Sequence, residues 1–235
     1  MDNTRRQALL ALLQLICPEE TPSVEMLTLV DQALTHVSSG RQQHHERLEF
    51  LGDAVLRLTA TQYLDRAHPD LLVGACSTLR AQLVSDRWLT ALGEHLHLEP
   101  LLILGTKARG DDAARATLLA DTTEALIGAL FEATGDLATI HQWLTPHWQD
   151  TAQAVLAAPH RFNSKTSLQE WSQGHGLGLP NYRTTERNQR HGDPQRFCSH
   201  VSIGDRLAAE GWGRSRKDAE QNAATAALDQ LDSDD

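Results

Sequence analysis

Cysteine is scarce in this chain of 235 residues: Cys17, Cys76 and Cys198 lie far apart and form no CxxC pair. That argues against a disulfide framework and against a cysteine zinc site, so that no zinc is expected, and fits a reducing, cytoplasmic setting. Long apolar runs are missing as well. None approaches the roughly 18 residues of a membrane span, so no membrane partner is expected. Basic residues fall short of acidic ones, 21 against 31, for a net charge of −10. With 40% hydrophobic residues the chain is nonetheless too apolar to be disordered and can build a core. Arg5 and Arg6 ahead of Ala8 to Cys17 have the look of a short secretion signal. However, Leu9, Leu12, Leu13 and Ile16 keep the spacing of an amphipathic helix, and no small-residue cleavage site follows.

The charge is unevenly spread. Residues 1–160 carry 11 basic and 20 acidic side chains, whereas 161–217 carry 10 basic and 5 acidic; the last eighteen residues have six acids and no base. An acidic body thus carries a basic module, and only the module would be drawn to a polyanion. Ala157, Ala158, Pro159 and His160 mark the junction, which predicts a domain over 1–157, a linker over 158–162 and a second domain over 163–232.

Before the junction the periodicity is helical throughout: Val24–Leu34, Glu46–Leu64, Thr78–Leu92, Ala116–Ala133 and Leu137–Leu156. An all-α domain is expected. After it the pattern predicts a helix (Thr166–Gln173), three strands (Asn181–Asn188, Phe197–Ile203, Arg206–Gly211) and a helix (Ser215–Leu231), with a hairpin turn at Gly204 and Asp205. That is a small α+β domain of order α-β-β-β-α.

The most informative stretch is His45-Glu46-Arg47-Leu48-Glu49-Phe50-Leu51-Gly52-Asp53-Ala54-Val55-Leu56. On a helix Glu46, Glu49 and Asp53 share one face, while Leu48, Leu51, Val55 and Leu58 share another. A second helix holds Ala120-Asp121-Thr122-Thr123-Glu124-Ala125-Leu126-Ile127-Gly128, its two acids three apart beside an apolar run. Two solvated acidic faces would explain either helix alone. Yet four residues after Glu49 stands Asp53, and four after Glu124 stands Gly128, so basic partners at helical spacing are scarce. If the helices cross, four carboxylates converge, and a hard divalent cation held by oxygen donors is the natural way to keep them together. Such a site can activate water and stabilise both oxygens of a phosphodiester under attack.

These residues carry a resemblance. The run Glu46–Leu56 resembles the signature helix of the ribonuclease III family, and Ala120–Gly128 resembles its second acidic helix. Gln32-Ala33-Leu34-Thr35-His36 and Leu79-Arg80-Ala81 match flanking segments. The resemblance implies that Glu49, Asp53, Asp121 and Glu124 are the catalytic, metal-binding acids, with Glu49 and Glu124 directly on Mg²⁺ and Mn²⁺ able to substitute. Glu46 would contact RNA or support the site. Phe50 would be a contact of a homodimer, the alternative being burial in its own subunit. Lys107 and Arg115 stand where relatives often have bases, for meeting phosphate or simply for solvation. Many relatives have a glutamate where this chain has Val73, which puts any auxiliary role of that position in doubt.

The C-terminal module resembles a double-stranded-RNA-binding domain, through Asn163 to Trp171 and Gly213 to Ala224. Ser215 is a good N-cap, and Arg214, Arg216 and Lys217 gather at a positive helix end, where phosphates meet both charge and free N–H groups. By resemblance Thr166, Gln169 and Glu170 face a minor groove, His191 reaches the groove from a loop where its register is unusual, and Arg214, Ser215, Arg216 and Lys217 span phosphates. Trp171, Phe197 and Trp212 read as packing groups rather than base-stacking ones.

The function so implied is a Mg²⁺-dependent endoribonuclease that cuts double-stranded RNA to 5′-phosphate and 3′-hydroxyl ends with short 3′ overhangs, in ribosomal RNA precursor and messenger RNA processing. The alternative is a scaffold of the same fold without chemistry; relatives of that kind lose acids, and all four are present here. A di-iron bundle would need two Glu-x-x-His motifs, and the chain offers only Glu94 to His97.

Overall fold

The computed structural model describes residues 1–106, 108, 114–157, 164–190, 193–204 and 207–233, with backbone alone at 207, 232 and 233. Lys107, Asp205, His191 and the expected linker 158–162 lie outside the described residues. The chain divides into two compact units, Met1–Gln153 and Ala154–Asp235.

The first unit is built from α1 (Asn3–Ile16), α2 (Val24–Ala33), α3 (Glu46–Ala67), α4 (Val73–Leu83), α5 (Asp86–His95), α6 (Arg115–Thr134) and α7 (Ala138–Ala157), the last running past the division. Polar caps set several starts. Asp2 accepts from the Arg5 N–H at 2.7 Å, Ser23 from Met26 at 3.0 Å and Ser85 from Trp88 at 3.2 Å. The last of these corrects the single helix expected over Thr78–Leu92. Ser85 leaves the helical path with ψ 149 and caps a new helix, so the segment is two helices meeting at Val84–Ser85. Thr35 and Ile103 also form an isolated parallel bridge, the single extended pairing described in this unit.

The core lies where α3 and α6 cross. Leu48, Leu56, Ala60, Ala125, Leu126, Ile127, Ala129 and Leu130 are wholly buried there. Two glycines permit the crossing. A Cβ on Gly52 would lie 1.9 Å from the Glu124 carbonyl oxygen, and one on Gly128 would lie 2.1 Å from that of Leu48. The backbones therefore touch, and a side chain at either position would force them apart. This also revises the expected apolar face of α3. The buried row runs Leu48, Gly52, Val55, Leu56, Thr59, centred on the crossing, and Leu58 is half exposed.

In the second unit α8 (Ser164–Gly174) precedes β1 (Asn181–Glu186), β2 (Phe197–Ile203), β3 (Leu207–Gly213) and α9 (Arg216–Ser233). The strands form an antiparallel sheet in the order β1-β2-β3. Val201, Ile203 and Ala209 meet Leu168 of α8 and the small-residue face of α9, Ala223, Ala224 and Ala227, in one core. Close approach again depends on glycine: a Cβ on Gly211 would lie 2.0 Å from the Ala223 nitrogen. The other face of the sheet carries Cys198, His200 and, opposite them on β3, Trp212 and Glu210.

Candidate active site

The α3–α6 crossing decides where the acids go. Gly52 and Gly128 bring the backbones together, and the acids of the two helices lie near enough to act on one another's charge. His45, buried just ahead of α3, donates its backbone N–H to the Thr35 carbonyl at 2.9 Å and sets its Nε2 3.4 Å from Glu49 Oε2. Donor atoms of His45, Glu49 and Asp121 all lie within 4.8 Å of one another.

The electrostatics record the convergence. Burial pushes the Glu124 carboxyl up to about 7, and the charges of Asp53, Glu49, Asp121 and Asp86 add to that rise. Glu49 is raised by burial and then by Asp121 and Glu46. Asp121 is raised by burial and then by Asp86, with His36 acting the other way. Burial, with His36 next, lowers His45, which favours its neutral form and a free nitrogen lone pair. One of the four acids has a cationic partner: Arg57 donates to both oxygens of Asp53 at 2.8 and 2.9 Å, an i+4 pair that a count from Glu49 and Glu124 alone does not find. Mutually destabilised oxygens of this kind suit a divalent cation, which would relieve all of them at once.

Three groups near the acids escape sequence reasoning. Asp86 stands in the first turn of α5 and acts on Asp121 and Glu124 only because α5 packs against α6, with Gly93 close to Thr123. His36 reaches the cluster through the Thr35 segment, its ring 4.9 Å from that of His45. His45 was the detectable one, since it sits four residues before Glu49. The remaining expected residues fall at the margins. Glu46 is exposed, 3.8 Å from His44. Arg115 is engaged with Glu99 at 2.9 Å and Glu94 at 3.5 Å beside a cavity of about 240 Å³. Val73 is exposed at the start of α4. Phe50 is 84% exposed, which removes burial within its own subunit as its role.

In the second unit Thr166, Gln169 and Glu170 are exposed along α8, and the first two line a cavity of about 370 Å³ with Lys165, Leu179, Pro180 and Tyr182. Ser215 caps α9 by accepting from Asp218 at 3.1 Å, and Arg214, Arg216 and Lys217 stand exposed around that helix end. Phe197 is buried and Trp171 packs partly buried against the core, as packing groups do; Trp212 lies instead on the open sheet face, its Nε1 donating to Glu210 Oε1 at 2.6 Å.

Comparison with known proteins settles the family. A ribonuclease-III-like family pattern matches residues 27–144, and a double-stranded RNA binding motif matches 164–231. The chain is 48% identical over 205 residues to the Ribonuclease 3 of Prochlorococcus marinus, covering 87% of this chain and 82% of that one. The chain belongs to the ribonuclease III family. It is 44% identical to the Ribonuclease 3 of Gloeobacter violaceus over 203 residues, 85% of this chain and 81% of the other, and 41% identical to a Ribonuclease 3 2 of Synechocystis over 196 residues, 83% and 80%. This ribonuclease III is therefore an endoribonuclease with a helical nuclease domain and a double-stranded-RNA-binding domain, and membership carries a divalent-metal requirement. Among the described residues no helix is long and apolar enough to cross a membrane.

Proposed function

We propose that the protein is a Mg²⁺-dependent ribonuclease III that hydrolyses duplex RNA as a homodimer in the cytoplasm, acting on ribosomal RNA precursors and structured messages. The observation that carries this is the convergence of Glu49, Asp53, Asp121 and Glu124 at a glycine-enabled helix crossing, where burial and like charge raise three of the four carboxyls. These residues would hold the ion, and an oxygen-rich donor set favours Mg²⁺, with Mn²⁺ able to substitute. A bound divalent ion supplies Lewis-acid polarisation of the phosphate and lowers the pKa of water.

The chain's own groups do the rest. His45 stands with its Nε2 3.4 Å from Glu49, near enough to face the same ion, and the Arg57 Nε–H is shared by both oxygens of Asp53. In the metal-free site the Glu124 carboxyl is raised to about 7, so taking up the ion would release a proton from it below that pH and leave it as a carboxylate. Water oxygen bonds to phosphorus, the bond from phosphorus to the 3′-oxygen breaks, and that oxygen leaves as a hydroxyl, giving 5′-phosphate and 3′-hydroxyl ends. The RNA-binding domain presents Arg214, Ser215, Arg216 and Lys217 to phosphates and Thr166, Gln169 and Glu170 to a minor groove, sensing A-form shape rather than sequence. Dimerisation uses the second apolar stripe of α3, where Phe50 and Leu58, 84% and 51% exposed, stand on one face two turns apart. Two such sites, one per strand, account for short 3′ overhangs.

The test is incubation with long duplex RNA in Mg²⁺ and in chelator, alongside Glu124→Gln. Cleavage should need the metal and fall by at least about a hundredfold in the variant. Cleavage indifferent to both would reject the mechanism, and tight binding without cleavage by the parent protein would identify a scaffold.

A further inference from the structure

The open face of the RNA-binding domain's sheet carries a second group of donors, unrelated to the nuclease centre. Residues 198 and 200 alternate onto the same face of β2, and the antiparallel register sets Glu210 of β3 directly opposite His200. Cys198 Sγ lies 3.6 Å from His200 Nε2, and Glu210 Oε2 lies 3.3 Å from the same nitrogen. All three donor atoms fall within 4.8 Å of one another.

We propose that Cys198, His200 and Glu210 form a Zn²⁺ site that clips β2 to β3. The geometry carries it. Tetrahedral zinc, with bonds of about 2.3 Å to sulfur and about 2.0–2.1 Å to nitrogen and oxygen, requires a sulfur–nitrogen edge of about 3.5 Å and a nitrogen–oxygen edge of about 3.3 Å. The two observed edges are 3.6 and 3.3 Å, and the third, from sulfur to carboxylate oxygen, is within 4.8 Å, so closing the face needs only a small side-chain adjustment. The carboxylate is also pre-oriented: Trp212 Nε1 donates to Glu210 Oε1 at 2.6 Å, leaving Oε2 turned to the histidine, an arrangement of the kind that supports metal ligands from behind. The set of one sulfur, one nitrogen and one oxygen selects a borderline ion such as Zn²⁺ over Mg²⁺. The half-exposed His200 and Glu210 leave the fourth position to water. Binding exchanges the thiol proton for the metal, one proton passing to solvent; burial and then Glu210 raise the Cys198 thiol, with Arg187 acting the other way, so the ion's own charge is what would hold the thiolate. Cysteine spacing along the chain gives no warning of such a site, because strand register assembles it.

Cobalt(II) is the probe, since a thiolate ligand adds a near-ultraviolet charge-transfer band that an all-oxygen or histidine–carboxylate site cannot produce. The full-length protein, stripped with chelator, should gain that band with one equivalent of sulfur-bound Co²⁺, and Zn²⁺ should bleach it. Cys198→Ser should abolish the band, and His200→Ala and Glu210→Gln should each weaken binding by more than about tenfold. All three variants should keep nuclease activity in Mg²⁺, which separates this site from the catalytic one. Absence of the band in the parent protein, its survival in Cys198→Ser, or undiminished affinity in both His200→Ala and Glu210→Gln would overturn the proposal.

Discussion

Replacing Glu124 by glutamine should stabilise the metal-stripped protein, and by an amount that depends on pH in a defined way. The Glu124 carboxyl rises from its ordinary 4.5 to about 7 in the folded protein, through burial first and then through Asp53, Glu49, Asp121 and Asp86. A folded pKa above the unfolded one means that the native state holds the extra proton. The parent's stability is then complete below about pH 4.5, falls as the pH rises through the window to about 7, and stays reduced above it. At about 1.4 kcal/mol per pH unit the full loss is about 3 kcal/mol, and partial solvent access brings the expected value to about 2–3 kcal/mol. The substituted amide cannot ionise, so in chelator at pH 8 the variant should melt roughly 5–10 °C above the parent, with the gap shrinking to below about 1 kcal/mol at pH 5. Adding Mg²⁺ at pH 8 should raise the parent and leave the variant nearly unmoved. Thermal unfolding followed by circular dichroism in both buffers reads all of this. A variant that melts at or below the parent at pH 8, or a gap equal at the two pH values, would show that burial and the neighbouring acids do not raise Glu124 as described.

Two further outcomes follow from packing and from charge. Gly128→Ala would place a Cβ 2.1 Å from the Leu48 carbonyl oxygen, which cannot yield; overpacking of about 1–3 kcal/mol should outweigh the roughly 1 kcal/mol of better helix propensity, and displacement of the acids should cut cleavage about a hundredfold. Gly74→Ala in α4 meets nothing within 4 Å and should be neutral or slightly stabilising, so equal effects from the two substitutions in denaturant titrations would refute the close crossing. Lys217→Ala should weaken duplex-RNA binding evenly across sequences and reduce the salt dependence of log K by about one; an unchanged slope in fluorescence titrations would remove Lys217 from the phosphate contacts.

Most of the fold was readable because its elements announce themselves locally. The i, i+3, i+7 spacing of Glu46, Glu49 and Asp53 and the paired acids of α6 lie within single helices, so periodicity alone finds them. The basic end of α9 and its Ser215 cap are equally local. What escaped involves two elements at once, or a break that apolar periodicity masks. The turn at Ser85 was hidden because apolar residues continue in helical phase on both sides of it, and only the cap shows the chain leaving one helix for the next. Asp86 then enters the acidic cluster solely through the packing of α5 on α6.

The same distinction explains why glycine, rather than any acid, is the residue that makes the site possible. A carboxylate row on an exposed helix is ordinary; two such rows could hold one ion, as proposed, only when the helix axes approach closely enough for their charges to act on one another. Gly52 and Gly128 provide that approach by offering backbone to backbone, at the cost of a weaker intrinsic helix. Gly211 repeats the device in the other unit, drawing α9 onto β3 just ahead of the residues assigned to phosphate. In both places the polar groups set the chemistry while a missing side chain sets the distance, and distance is what spacing along a chain leaves unsaid. The cluster of Cys198, His200 and Glu210 makes the point for sheets, where the alternation along β2 is legible but the partner at position 210 depends on register.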